Sequence, residues 1–199
     1  MRHADVENPH RIFYGHLPGF HLSALGRTQA AAVGRTLHDR GIRRILHSPL
    51  DRARETAELV NAQLDAPVAL IPEPALTEAM IGRYLQGIRY WQIPVRRPKW
   101  ILHKLRRGAM EGDETIEQMG GRVRHVVLRI AREHPGELSL CVSHADPIQA
   151  AWVLFEGRPQ TERELYRKSV QRAGMLEIDV ATDGGVTTRY VPAPKVAAV

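Results

Sequence analysis

The 199-residue chain contains a single cysteine, Cys141, so no disulfide can form within it, and the pattern reads as a cytoplasmic protein whose lone thiol packs inside a strand. No stretch approaches the ~20 apolar residues of a membrane span, and no charged-then-apolar leader precedes the first polar residues. Aromatic residues make up only 6% of the chain. Acidic residues vanish altogether between Ala79 and Met110, where Arg83, Arg89, Arg96, Arg97, Lys99, Lys104, Arg106 and Arg107 add +8 against a net +6 for the whole chain. Internal repeats and low-complexity tracts are missing too. What is present is a 43% hydrophobic complement, enough for one full core and, by length, for a single domain over 1–191 with a loose tail at 192–199.

Taken in order, short apolar runs alternate with helical patterns. Residues 5–22 read as a loop rich in Asn, Pro, Gly and His. Ser23 reads as an N-cap for a helix that Gly41 ends, and Arg43 to His47 as a short buried strand. Ser48, Pro49 and Asp51 form an N-terminal capping pattern, which places Arg52 in the first turns of the next helix, where backbone N–H groups favour anions. Pro67 to Ile71 reads as a strand, followed by a turn that delivers Leu76-Thr77-Glu78. Gly112 to Thr115 opens a helix with apolar positions from Ile116 to Ile130. Gly120-Gly121 weaken that helix by ~1 kcal/mol each, and Pro135-Gly136 ends it. Leu138 to Ser143 is a continuous apolar-rich run of central-strand length, with His144 at its end and Asp146-Pro147 reading as the next cap. Met175–Val180 and Thr187–Val191 flank Asp183-Gly184-Gly185 as a hairpin. The alternation predicts an α/β fold, a three-layer α/β/α sandwich with a mostly parallel central sheet.

Five motifs carry a resemblance: Arg2-His3-Ala4, Leu22-Ser23-x-x-Gly26-x-x-Gln29-Ala30, Ser48-Pro49-Leu50-x-Arg52-Ala53-x-x-Thr56-Ala57, Leu76-x-Glu78-x-x-x-Gly82 and Val142-Ser143-His144. In this order, over roughly residues 1–155, they resemble the histidine phosphatase (phosphoglycerate mutase-like) superfamily, branch 1. The resemblance implies that His3 is the nucleophile that takes the phosphoryl group, that Arg2, Arg52 and His144 hold its oxygens, and that Glu78 is the proton donor. In the loop, Asn8 and Gly15 match the family's substrate-touching positions loosely, one residue out of register. The chemistry suits these residue types. Guanidinium forks and imidazole N–H groups stabilise a phosphoryl group's spread charge, and a neutral imidazole is a competent nucleophile near pH 7. No cofactor and no metal is needed for it, and His10, His16 and His21 lack the spacing of a metal-binding helix or cluster.

The activity so implied is a metal-independent phosphomonoester hydrolase of phosphorylated small molecules, working through a phosphohistidine. Two alternatives stand beside it: a phosphoglycerate mutase-type phosphomutase, and a catalytically impaired phospho-ligand binding module. The second arises because only Met1 precedes Arg2-His3, where the family carries a short apolar strand. That short start is expected to fray, to bring the α-amino group near the phosphate site where an anion would raise its pKa, and to gain stability from upstream residues. The basic insert at 79–110, with Trp91 and Trp100 inside it, has three readings. In descending weight they are a cationic lid, a solvated helical face with both Trp in the core, and a nucleic-acid surface.

Overall fold

Apolar patterning places β1 (Ile42–His47) at the centre of a three-stranded parallel sheet, between β2 (Leu70–Pro72) and β3 (Leu138–Val142). The structure, a computed structural model, describes residues 1–80, 82–102 and 112–196. Side-chain alternation along the strands explains the layering. Ile42 and Ile45 of β1 and Leu140 and Val142 of β3 join one core with α1 (Ala24–Leu37) and α2 (Asp51–Asn61). Leu46 and Cys141, one residue out of step, join a second core beneath α4 (Ile116–Glu133) and α5 (Ala145–Phe155). The sheet is therefore buried on both faces, as its near-continuous apolar strands require. Between β2 and α4 lies α3 (Ile93–Arg96), one short turn of helix. After α5 come α6 (Glu162–Arg167) and an antiparallel hairpin, β4 (Met175–Val180) with β5 (Val186–Val191).

The first three residues join the two sheets. Ser143 N–H donates to Met1 O at 2.9 Å and His3 N–H to Ser143 O at 2.9 Å. On the other side Arg2 N–H donates to Gly174 O at 2.9 Å, just ahead of β4. The expectation of a frayed start is corrected here. Met1 is buried in the main core, and its amine donates to Cys141 O. The expected pKa direction is corrected too, since burial pushes that amine down to about 6.

Three local expectations change for physical reasons. Ser48 is not an N-cap: α2 starts at Asp51 with Leu50 before it, and the Ser48 hydroxyl turns to the site described below. Asp146 lies inside the first turn of α5, whose N-cap is His144 in an extended conformation. The two glycines of α4 differ. A Cβ at Gly120 would meet the Ala150 backbone at 2.7 Å, so that glycine permits the close packing of α4 on α5, whereas Gly121 faces open space. Other caps match: the Ser23 hydroxyl accepts from Gly26 N–H, and Thr115 with Gln118 completes a capping box on α4. In the tail, Ala193 packs on the main core, and 197–199 lie outside the described residues. No helix among the described residues is long and apolar enough to cross a membrane.

Candidate active site

The carboxyl ends of the parallel strands bring the separate motifs to one place, as open α/β sheets do with their sites. The Arg2-His3 segment runs alongside the end of β3, β3 is followed by His144, β1 by Ser48 and the first turn of α2, and β2 by the short turn at Pro74–Leu76 that delivers Glu78. His3 and His144 are almost wholly buried, with ring centroids 5.1 Å apart. The His3 ring meets Ala4 O through Nδ1 at 2.8 Å. A carbonyl only accepts, so Nδ1 carries the proton and Nε2 holds the free lone pair. The His144 ring places Nε2 2.8 Å from the Ser48 hydroxyl and Nδ1 3.6 Å from Glu78 Oε2.

Two guanidiniums complete the cluster. Arg52 is 1% exposed; its Nη2 donates to Gly15 O at 2.8 Å, its guanidinium lies 4.8 Å from the Tyr14 ring centroid, and it sits 3.9 Å from Glu78. Arg2 is held through Nη1 to Val170 O at 2.9 Å. Arg2 Nε, Arg52 Nε and His144 Nδ1 are buried without a hydrogen-bond partner. Leaving buried polar groups unpaired costs ~1–3 kcal/mol each, more for charged ones, and an oxyanion is a fitting acceptor for guanidinium N–H groups.

Burial sets the protonation states. Desolvation, reinforced by the charge of Arg52, holds both His3 and His144 well below the usual imidazole range, so both are neutral at pH 7. Burial, then the negative charge of Asp146, pushes the Glu78 carboxyl up, while Arg52 pulls the other way. The site thus holds a neutral imidazole beside a carboxyl biased toward its acid form. Arg122 of α4 fixes the segment that presents Glu78, donating to Ala75 O at 2.6 Å, Thr77 O at 2.7 Å and Glu78 O at 3.2 Å.

Of the residues expected at the site, His3, Glu78, His144, Arg2 and Arg52 come together. Gly15 does so through its carbonyl, as the acceptor that orients Arg52. Asn8 does not: both ends of its side-chain amide are committed to the Ile12 backbone, at 2.9 and 3.0 Å, and it is absent from the wall of the cavity that opens beside Glu78. Three contacts at the site involve residues outside the expected set: the Ser48 hydroxyl against His144, the support given by Arg122, and Thr56, whose hydroxyl accepts from Ala4 N–H at 3.1 Å. Ser48 and Thr56 stand inside a quoted motif, which was the available signal; Arg122 had none.

His16 and His21 point apart, one ring against Ala79 O and the other against Glu55. Among the described residues the His/Cys/Asp/Glu group compact enough for a metal is His3, Glu78 and His144, with ligand atoms within 4.8 Å of one another. Two buried guanidiniums beside it favour an anion there over a cation.

The cavity of about 350 Å³ is walled by Arg2, Gly15 and Glu78 and, from the basic insert, by Leu85, Tyr90, Ile93 and Trp100. Among the described residues the insert's cations Arg83, Arg89, Arg96, Arg97 and Lys99 are exposed and none lines it; Lys104, Arg106 and Arg107 lie outside the described residues. Trp91 is 69% exposed and does not enter a core, whereas Trp100 packs on Leu85, Ile88 and Ile93.

Known proteins resemble the chain over most of its length. An uncharacterized Mycobacterium tuberculosis protein, Rv0525, is 36% identical over 164 residues, covering 79% of this chain and 77% of that one. Zebrafish (Danio rerio) fructose-2,6-bisphosphatase TIGAR B is 29% identical over 172 residues, covering 79% of this chain and 63% of that one. Among solved structures, Bacillus stearothermophilus YhfR superimposes with a TM-score of 0.85 at 22% identity, covering 98% and 95% of the two chains. The Shigella flexneri alpha-ribazole phosphatase gives 0.81 at 22% identity, covering 100% and 98%. With the family model for branch 1 matching residues 1–191, the chain belongs to the histidine phosphatase superfamily.

Proposed function

We propose that the protein is a metal-independent phosphomonoester hydrolase that works through a phosphohistidine on Nε2 of His3. The observation that carries this reading is the tautomer fixed by Ala4 O, which leaves a neutral Nε2 lone pair in a site that also holds Arg2 and Arg52, each with a buried Nε–H lacking a partner. In the first step Nε2 bonds to phosphorus as the ester P–O bond breaks, and Glu78 gives its proton to the departing alkoxide. Arg2, Arg52 and His144 stabilise the charge that builds on the phosphoryl oxygens. In the second step the Glu78 carboxylate takes a proton from water, whose oxygen bonds to phosphorus as the P–N bond breaks. Inorganic phosphate leaves and the enzyme is restored. The names of the phosphatase relatives support a phosphorylated small molecule as substrate.

The test is a pair of variants assayed on a simple alkyl phosphate. His3→Ala is expected to abolish turnover and His144→Ala to leave a residue of it, because only the first removes the atom that bonds to phosphorus. Equal turnover by wild type and His3→Ala would refute the mechanism. Turnover that depends on a bisphosphorylated primer would identify a mutase instead, and phosphate-ester binding without turnover a binding module.

A further inference from the structure

We infer that the cavity beside the phosphate clamp receives a phosphomonoester whose leaving group carries an aromatic ring, and that it disfavours a second phosphate. The inference rests on the assignment of Arg2, Arg52 and the two histidines to the phosphoryl group. The chain has only three Trp, five Tyr and three Phe, yet Phe13, Tyr14, Tyr90, Trp100 and Tyr166 all line this one cavity. Nearly half of a scarce residue class in one wall is a chemical signal, because aromatic faces and edges reward a planar apolar guest beyond simple burial. Leu85 and Ile93 extend the same apolar wall.

The charges point the same way. Among the described residues the only charged side chains in the wall are Arg2, Glu78 and Asp146, so the one cation belongs to the clamp and the other two are acids. A second phosphate placed in this space would face the Asp146 carboxylate and, among the described residues, would find no guanidinium of its own. The volume of about 350 Å³ lies at the small end of the roughly 300–1,000 Å³ typical of ligand pockets, enough for a phosphoryl group and one ring system.

The wall is also built to hold its shape. Phe13 N–H donates to Ile88 O at 2.8 Å, Gly87 N–H to Phe13 O at 2.9 Å and Tyr90 N–H to Arg11 O at 3.0 Å, which stitches the loop after His3 to the insert. That ladder sets Phe13 edge-on to Tyr90, with ring centroids 6.2 Å apart at 84°. Trp100 is anchored on Leu85, Ile88 and Ile93 while it faces the cavity. Aromatic groups fixed in this way bind with little ordering cost.

Calorimetric binding of three non-hydrolysable probes tests the inference: 2-phenylethylphosphonate, 2-hydroxyethylphosphonate and ethane-1,2-bisphosphonate. The phenyl compound is expected to bind roughly tenfold tighter than the hydroxyl compound, and the bisphosphonate no tighter than the hydroxyl compound. Trp100→Ala and Tyr90→Ala should each shrink the phenyl preference by about threefold or more, while Trp100→Phe, which keeps a ring in place, should retain it. Equal affinities, a preference for the bisphosphonate, no binding of any probe, or a preference untouched by both alanine variants would overturn it. Turnover of the matching phosphates separates the two claims. A phenyl preference without hydrolysis would refute the hydrolase and leave this inference standing, and hydrolysis without the preference would do the reverse.

Discussion

In the proposed mechanism His3 and Glu78 carry opposite protonation demands, and their surroundings move each toward the state that mechanism requires. An ordinary imidazole and an ordinary carboxyl, near 6.5 and 4.5, would titrate in the wrong order for a neutral nucleophile and a protonated acid to coexist. Burial lowers the first and raises the second, which enlarges the correctly protonated fraction near neutral pH. The acid limb of kcat/KM should therefore lie below the usual histidine value, and the alkaline limb should follow the raised Glu78. Glu78→Gln should lower kcat by ~10²–10⁴-fold on an alkyl phosphate and far less on 4-nitrophenyl phosphate, whose leaving group needs no proton. A pH–rate profile for both substrates checks this; an equal loss on both would show that Glu78 is not the acid. His3, His144, Arg2, Arg52 and Glu78 were legible because each sits in a short motif with a chemical reason for its residue type. Asn8 was misleading because a loop asparagine satisfies its own backbone as readily as a ligand.

The elements show where propensity rules stop. Gly120 and Gly121 look alike in sequence, each a weak point in α4, yet only Gly120 faces the backbone of α5. Gly120→Ala should destabilise the protein by ~1–3 kcal/mol through overpacking. Gly121→Ala should stabilise it by ~0.5–1 kcal/mol through helix propensity. Urea melts of the two variants decide; equal effects of the same sign would contradict the close α4–α5 contact. Ser48 and Asp146 obeyed the capping pattern in sequence and escaped it in structure. The Ser48 hydroxyl has a buried histidine to reach, and His144 already holds the N-cap position of α5. A local rule cannot see a partner 96 residues away. The insert shows the same limit: its cations dominate the composition, while Leu85, Tyr90, Ile93 and Trp100 are the side chains that line the cavity among its described residues.

Across the whole molecule, the order of five motifs and the alternation of strand and helix patterns were enough to place the sheet, its two cores and the site at the strand ends. The aromatic wall was not legible, because Phe13, Trp100 and Tyr166 come from segments far apart in the chain and only packing unites them. Burying two neutral histidines also ties global stability to pH. The unfolded chain binds protons on them near 6.5 and the native protein only well below, so stability is full above that value and is lost as pH falls through the window between. Glu78 acts with the opposite sign, its contribution being present at low pH and lost as pH rises through its raised value. The melting temperature should thus fall from pH 7 toward pH 5, with a shallower slope in His144→Gln; a flat profile in the wild type would contradict neutral buried histidines. The most direct measurement of the account is acid-free rapid quenching during turnover of a ³²P-labelled alkyl phosphate, followed by peptide mapping. It predicts a transient, alkali-stable label on the peptide that carries His3, absent in His3→Ala. Label on any other residue, or steady turnover with no covalent label at all, would contradict it.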